Sequence, residues 1–71
     1  MDQIKLASLV MVTGDPTEAA VIGGQALDAM GTIRSQRAAD DMRDLRLFAQ
    51  PHERRPGVAE LIHRIGSAVV V

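Results

Sequence analysis

The side chains of this chain that could most readily take part in catalysis or ligand binding are two histidines, one serine and a set of arginines. His52 and His63, with Glu60 three residues before His63, offer the nitrogen and carboxylate ligands that zinc sites use. His63 falls in the last turn of a predicted helix, where a partly cationic ring is stabilised by the helix dipole. We therefore favour a structural role for these residues and predict no metal site and no cofactor.

Ser35 is a candidate nucleophile by residue type alone. No histidine lies close to it in the sequence, and the chain lacks the Gly-x-Ser-x-Gly motif that presents the catalytic serine of many hydrolases. A serine at the start of a helix instead accepts a hydrogen bond from a free backbone N–H. The glycine pair in "VIGGQA" also lacks the Gly-Lys-Ser/Thr ending of a phosphate-binding loop. The sequence therefore predicts that the protein is not an enzyme.

Arginines are concentrated in two segments, "GTIRSQR" and "HERR". Such clusters can bind the phosphate or carboxylate groups of a partner, although most charged runs are simply solvated faces. The residues that could make polar contacts with a partner are Arg34, Ser35 and Arg37 in the first segment, and Arg54 and Arg55, which follow Glu53, in the second.

Length and charge exclude several classes of protein. The chain has 71 residues, which is enough for one domain, and no cysteine for a disulfide or thiolate site. Its 8 basic and 9 acidic residues give a net charge of −1, which argues against direct nucleic-acid binding. The apolar run "KLASLVMV" is too short to span a membrane and does not follow the pattern of a signal peptide. We expect a cytoplasmic protein without membrane association.

The segment "TGDPTEAA" predicts a sharp boundary between two helices. Gly14 can take the left-handed conformation that ends a helix. Asp15 is a favoured N-cap, Pro16 suits the first helical position, and Glu18 completes a capping box. Short connections of this kind place consecutive helices side by side and antiparallel.

Similar signals divide the whole chain into an all-α, four-helix antiparallel array. Thr32 is the predicted cap of the third helix, Pro56 the predicted start of the fourth, and Gly66 its predicted end. The predicted helices span about 2–12, 16–30, 33–49 and 56–65, with a frayed tail over 66–71. Their predicted buried lines are Ile4, Ala7 and Met11; Ala19, Gly23, Ala26 and Met30; Ala38, Met42, Leu45 and Ala49; and Val58, Leu61, Ile62 and Ile65.

The second helix carries an unusual stripe of small residues. Gly23 and Gly24 each reduce helix propensity by about 1 kcal/mol relative to alanine. The second helix is also apolar almost all round, which is typical of a helix buried on several sides. The simplest compensation is the close approach of another helix backbone at these glycines.

The first two helices resemble a tetratricopeptide repeat, a helix pair with a period of about 34 residues. The matching positions are Leu6, Ala7 and Val10 in the first helix, Gly14 and Asp15 at the turn, and Ala19, Gly23 and Ala26 in the second. Gln3 stands where the family often has an aromatic residue, and Gly31 where it favours proline. The resemblance implies one tetratricopeptide-like helix pair followed by two further helices, a fragment of an α-solenoid that forms a single domain over 1–71.

A longer stretch, about residues 5 to 65, is similar to the C-terminal end of the tetratricopeptide-like region of actinobacterial helix-turn-helix transcriptional regulators. The matching motifs are "GDPxxAxxxxxxAL" from Gly14 to Leu27; Ser35 and Arg37 in "SxR"; Arg43, Leu45 and Leu47; the turn Pro51-His52; and Pro56, Val58, Glu60 and Leu61 of the last helix. The resemblance implies a chain without the DNA-binding domain and the upstream repeats of those regulators.

A helix pair of this kind normally buries its apolar side against a neighbouring repeat. We therefore predict an exposed apolar interface formed by Ile4, Leu6, Val10 and Ile22, and a role as a protein–protein interaction or assembly module. The expected partner is a second copy, as in a homodimer, or a larger regulator protein. Two alternatives stay open: a small helix-turn-helix DNA-binding regulator built on the second and third helices, and a truncated remnant without independent function.

Overall fold

A computed structural model describes residues 3–69 as four α-helices and one short 3-10 turn, and so confirms the predicted all-α class. The elements are α1 (Gln3–Thr13), α2 (Pro16–Met30), α3 (Gln36–Ala49), the 3-10 turn (Gln50–His52) and α4 (Val58–Ala68). The predicted start of the first helix at residue 2 lies outside the described residues.

The boundary between α1 and α2 has the predicted glycine turn, N-cap and proline, but not the predicted capping box, because the Asp15 N–H donates to Val10 O rather than to the Glu18 carboxylate. Gly14 has a φ of 115°, a conformation that side-chain-bearing residues rarely adopt. Asp15 Oδ1 accepts a hydrogen bond from the Glu18 N–H at 3.0 Å, and Pro16 occupies the first turn. The Asp15 N–H itself donates to Val10 O at 3.2 Å. The same few residues therefore provide hydrogen-bond partners for free backbone groups at the end of α1 and at the start of α2.

The start of α3 differs from the prediction. Ser35, rather than Thr32, is the N-cap, and its Oγ accepts a hydrogen bond from the Ala38 N–H at 3.4 Å. Ile33 lies before the helix, where its side chain is buried and its N–H donates to Ala68 O at 2.8 Å. The predicted helix over 33–49 is wrong in its first turn because Ile33 enters the core from an extended segment, in an isolated parallel bridge to Val69.

The limits of α4 also differ from the prediction at both ends. Gly57 has a φ of 82°, so the helix begins only at Val58 and Pro56 lies outside it. Gly66 lies inside the helix, which continues to Ala68. The last turn is held because Ala68 O accepts the Ile33 N–H and Ala68 packs against the core. The predicted frayed tail is therefore wrong for 66–69, whereas 70–71 lie outside the described residues.

The four helices form two consecutive pairs, α1 with α2 and α3 with α4, around one core. α1 contacts α2 and α3, while α4 contacts α2 and α3, so that α2 and α3 lie diagonally across the core. The buried hydrophobic residues are Ile4, Ala7, Met11, Ala19, Ala20, Ala26, Leu27, Ile33, Ala39, Met42, Leu45, Ala49, Val58, Leu61 and Ile65. In α3, Ala39 is buried whereas the predicted Ala38 is only partly buried, and in α2 the predicted Met30 is exposed.

The small residues of α2 make room for leucine side chains. A Cβ atom on Gly23 would lie 2.9 Å from Leu61 Cδ1 of α4 and 3.2 Å from Leu45 Cδ2 of α3. Gly23 therefore permits a close approach, as predicted, but by side chains from two other helices rather than by a helix backbone. Gly24 faces Arg64, whose Nη1 would lie 3.4 Å from an added Cβ.

Candidate functional site

The predicted interface residues do not share one exposed face. Ile4 is only 2% exposed and belongs to the core, so its place in the interface is a wrong prediction. Val10 and Ile22 are partly buried and pack against that core. The Gln3 side chain spans the same α1–α2 edge by donating a weak 3.4 Å hydrogen bond to Ile22 O. Of the four predicted residues, only Leu6, at 37% exposure, is an exposed large apolar side chain.

Exposed apolar side chains are concentrated instead on the outer sides of α1 and α3. Leu9 is 47% exposed and Val12 is 56% exposed, and both lie on α1 with Leu6. Leu47 and Phe48 are exposed on α3. The sequence does not single out Leu9 and Val12, because apolar residues lie on several sides of α1 and helical periodicity alone does not distinguish its inner side from its outer side.

A cleft separates α1 from α3 on this side of the molecule. Its volume is about 230 Å³, and its lining residues are Lys5, Ser8, Asp41, Asp44 and Phe48. Lys5, Ser8, Leu9 and Val12 follow helical spacing and so share one face of α1, as Asp41, Asp44 and Phe48 do on α3. We call the surface formed by these seven residues the α1–α3 face.

The acidic side of the cleft is partly desolvated. Asp41 is half-buried, and among the described residues its Oδ2 is a buried side-chain oxygen with no hydrogen-bond donor. Asp44, one turn further along α3, is exposed. Removing a carboxylate oxygen from water without a compensating donor is costly. The Asp41 charge therefore favours a cation near the cleft, and Lys5 lines the same cleft.

A second groove lies between α2 and α4. Its volume is about 180 Å³, and its floor is formed by small or apolar residues such as Ala20, Gly24 and Leu61. Arg64 stands at this groove and its Nη2 lies 2.6 Å from Asp28 Oδ1 of α2. Small-molecule sites usually enclose about 300–1,000 Å³. Both depressions are smaller than that, which favours contact with a macromolecular surface over capture of a drug-sized ligand.

The predicted polar contacts lie at two separate places. Arg34 and Arg37 are exposed at the start of α3, where Ser35 serves as the N-cap. Arg54 and Arg55 are exposed in the loop that follows the other end of α3. A helix of 14 residues is about 21 Å long, because each residue adds 1.5 Å. The two arginine segments therefore do not form a single basic patch.

Within the part of the chain that the structure describes, no group of three or more His, Asp, Glu and Cys side chains could hold a metal ion. His52 is half-buried in the 3-10 turn, whereas Glu60 and His63 are exposed on α4. The Ser35 hydroxyl is occupied as a helix cap, as the sequence predicts. In residues 3–69, none of the helices has the length and apolar character needed to cross a membrane.

The arrangement of α2 and α3 bears on the predicted DNA-binding alternative. In a helix-turn-helix motif the two consecutive helices pack on each other at about 90–120° across a short turn. Here α2 and α3 lie diagonally, and each packs mainly against α1 and α4. The exposed side of α3 also carries Asp40 and Asp44, whose charges repel phosphate.

Comparison with known proteins found no match: no protein-family model, no curated protein and no solved structure is similar to this chain.

Proposed function

We propose that this protein is a protein–protein interaction or assembly module, which works by self-association or by binding a larger regulator protein. The observation that carries the proposal is the apolar outer side of α1, where Leu6, Leu9 and Val12 are 37%, 47% and 56% exposed. Apolar side chains grouped on one surface of a small protein favour an interface, because covering them removes apolar area from water.

The size of the domain supports the same proposal. A chain of 71 residues buries a modest fraction of its surface, so its stability is marginal and a partner adds to it. Neither cleft resembles a small-molecule pocket in size. We therefore consider binding of a protein surface to be the function that the described residues support best.

The link to bacterial transcriptional regulators is a further part of the proposal and rests on the sequence motifs alone. In this interpretation the chain corresponds to the C-terminal, tetratricopeptide-like part of such a regulator and acts in the cytoplasm. The segments that support it best are the motif from Gly14 to Glu18 and the motif from Pro56 to Leu61.

Sedimentation equilibrium, with far-ultraviolet circular dichroism at each concentration, tests self-association. We expect the average mass to rise towards a dimer across a hundredfold range of concentration, with constant helix content because the core lies within one chain. A helical monomer throughout would exclude self-association. A disordered chain at every concentration would instead favour the truncated remnant.

A pair of variants tests whether the α1 surface is responsible. Leu9→Gln is expected to shift the association towards monomer, because it places an amide in the apolar interface. Leu47→Gln is the matched control, since Leu47 is 61% exposed and lies outside the α1–α3 face. If both variants self-associate as strongly as the wild type, the outer side of α1 is not the interface.

A mobility-shift assay on duplex DNA at low salt separates this proposal from the DNA-binding alternative. Non-specific binding to DNA depends on basic contacts and is strongest at low salt. We expect no shift, because the net charge is −1 and aspartates stand among the arginines of α3. Strong, salt-sensitive binding would favour the helix-turn-helix alternative.

A further inference from the structure

We infer that the occupant of the α1–α3 face is the same face of a second copy, with Lys5 of each chain contacting Asp44 of the other. This inference rests on the proposed function, since it specifies the partner and the contact of a self-associating module. Its physical basis is that the face carries both halves of a complementary pair.

The shape of the face suits a two-fold contact. Leu9 and Val12 are exposed apolar side chains of α1, and helical spacing places them on the same side as the cleft, which Phe48 lines in part. A two-fold interface uses one patch twice, so the patch must fit itself. A surface with exposed apolar side chains next to a cleft meets that requirement, because those of each copy can lie against the cleft of the other.

The charges of the face are also complementary to each other. Lys5 is the only charged residue of α1, whereas the facing side of α3 presents Asp41 and Asp44. One cation and two anions on one face allow two symmetric ion pairs across a two-fold axis. Complementary charges of this kind set the register of an interface and exclude wrong pairings.

The two aspartates have different roles in this arrangement. Asp44 is exposed, so its carboxylate can contact a lysine from outside. Asp41 Oδ2 is buried and has no donor among the described residues. Its charge strengthens the attraction at Asp44 without direct contact, because a partly desolvated charge is poorly screened by salt.

A charge exchange between two separate chains tests the contact. In the variants Lys5→Glu and Asp44→Lys, each homodimer would place like charges opposite each other. A mixture of the two variants would place opposite charges at both contacts. We expect each variant alone to dissociate at least roughly tenfold more readily than the wild type, and the mixture to form a heterodimer of near wild-type affinity.

Controls separate this result from other effects. Circular dichroism checks the fold of each variant, and Glu53→Lys reverses a charge in the loop before α4, outside the face. Should a reversal prevent folding, Lys5→Gln and Asp44→Asn replace the pair, and each should weaken the dimer and reduce its salt dependence. A mixture distinguishes the contact between chains from a pair within one chain, because only the former is restored by mixing.

The outcomes also separate this inference from the proposed function. A wild-type dimer that is unchanged by Lys5→Glu and Asp44→Lys, or by their neutral replacements, would overturn the inference and leave self-association standing. Variants that dissociate but are not rescued by mixing would overturn the inferred register. A wild-type chain that is monomeric throughout would remove both self-association and the inference.

Discussion

α1 and α3 make similar contributions to the core but present different surfaces to solvent. α1 buries Ile4, Ala7 and Met11, and α3 buries Ala39, Met42, Leu45 and Ala49. On their outer sides, α1 carries exposed leucine and valine with a single lysine, whereas α3 alternates arginine and aspartate and adds two exposed apolar residues.

The difference shows that the inner side of a helix is determined by packing in the core, whereas its outer side is determined by contact with solvent or with a partner. The inner stripes are alike because both must fill one core at high packing density. The outer side of α3 is stabilised by solvent and by local pairs such as Arg43 Nη1 with Asp40 Oδ1 at 3.1 Å. The outer side of α1 instead exposes Leu6, Leu9 and Val12, whose apolar surface is stabilised by removal from water, and so it is the better candidate for an interface.

Truncation of the two buried methionines should test whether the inner sides are equivalent. Met11→Ala and Met42→Ala each remove a fully buried side chain and should each lower the free energy of unfolding by about 2–5 kcal/mol. Urea unfolding followed by circular dichroism measures both. Leu47→Ala on the exposed side is the control, with an expected effect within about 0.5 kcal/mol. A loss below about 1 kcal/mol for either methionine would show that the core is not shared equally.

Glycine substitutions compare the stability of the two connections within the helix pairs, the one between α1 and α2 and the one between α3 and α4. Gly14→Ala and Gly57→Ala place a side chain at positive φ, which should cost about 1–2 kcal/mol at each connection. Gly66→Ala should instead stabilise by up to about 1 kcal/mol, because Gly66 lies inside α4 and an added Cβ would be 3.6 Å from Arg46 Nη1. Thermal unfolding measures all three. A destabilising Gly66→Ala would mean that α4 ends at Gly66 after all.

The two N-caps should differ in strength. Asp15→Ala removes a 3.0 Å hydrogen bond and should cost about 1 kcal/mol. Ser35→Ala removes a longer one, 3.4 Å, and should cost less. The free energies of unfolding of the two variants, measured at equal protein concentration, show which substitution is the more destabilising. The reverse order would show that α3 depends more on its cap than its hydrogen-bond geometry indicates.

The smallest effect is expected at the surface ion pair that joins the two helix pairs. Asp28→Asn weakens the contact with Arg64 and should cost less than about 1 kcal/mol, since both side chains are exposed. High salt should reduce the difference from the wild type, because salt screens exposed charges. Asp40→Asn is the matched control within α3, with a similarly small effect. A loss of several kcal/mol at Asp28 would contradict an exposed pair.

Much of the fold could be predicted from local chemistry. The cap at Asp15 and the proline at position 16 act within a few residues of themselves, so α2 begins where the sequence indicates. Ile33 could not be placed in this way. Its burial depends on α4, because Ala68 O, from a residue far along the chain, accepts its N–H at 2.8 Å. The same contact explains why α4 continues past Gly66.

The candidate site was predicted less well than the fold. The sequence indicates that α1 is covered on more than one side, because it carries Leu6, Leu9, Val10 and Val12 in addition to its core stripe. It does not indicate which of these sides packs against the other helices and which stays exposed. The prediction therefore places Ile4 in the interface, although this residue belongs to the core, and it omits the exposed Leu9 and Val12.

Local sequence signals are enough to predict the helical class, the sharp turn at Gly14 and Asp15, and most of the residues of α3 and α4 that face the core. These features depend on backbone conformation, capping and periodicity, which act over one or two helical turns. The side of α1 that stays exposed, and the acidic residues that line a cleft with Lys5, follow instead from the packing of the helices. They depend on where α2 and α3 pack around α1, and a helix with apolar residues on several sides carries no local signal of that choice.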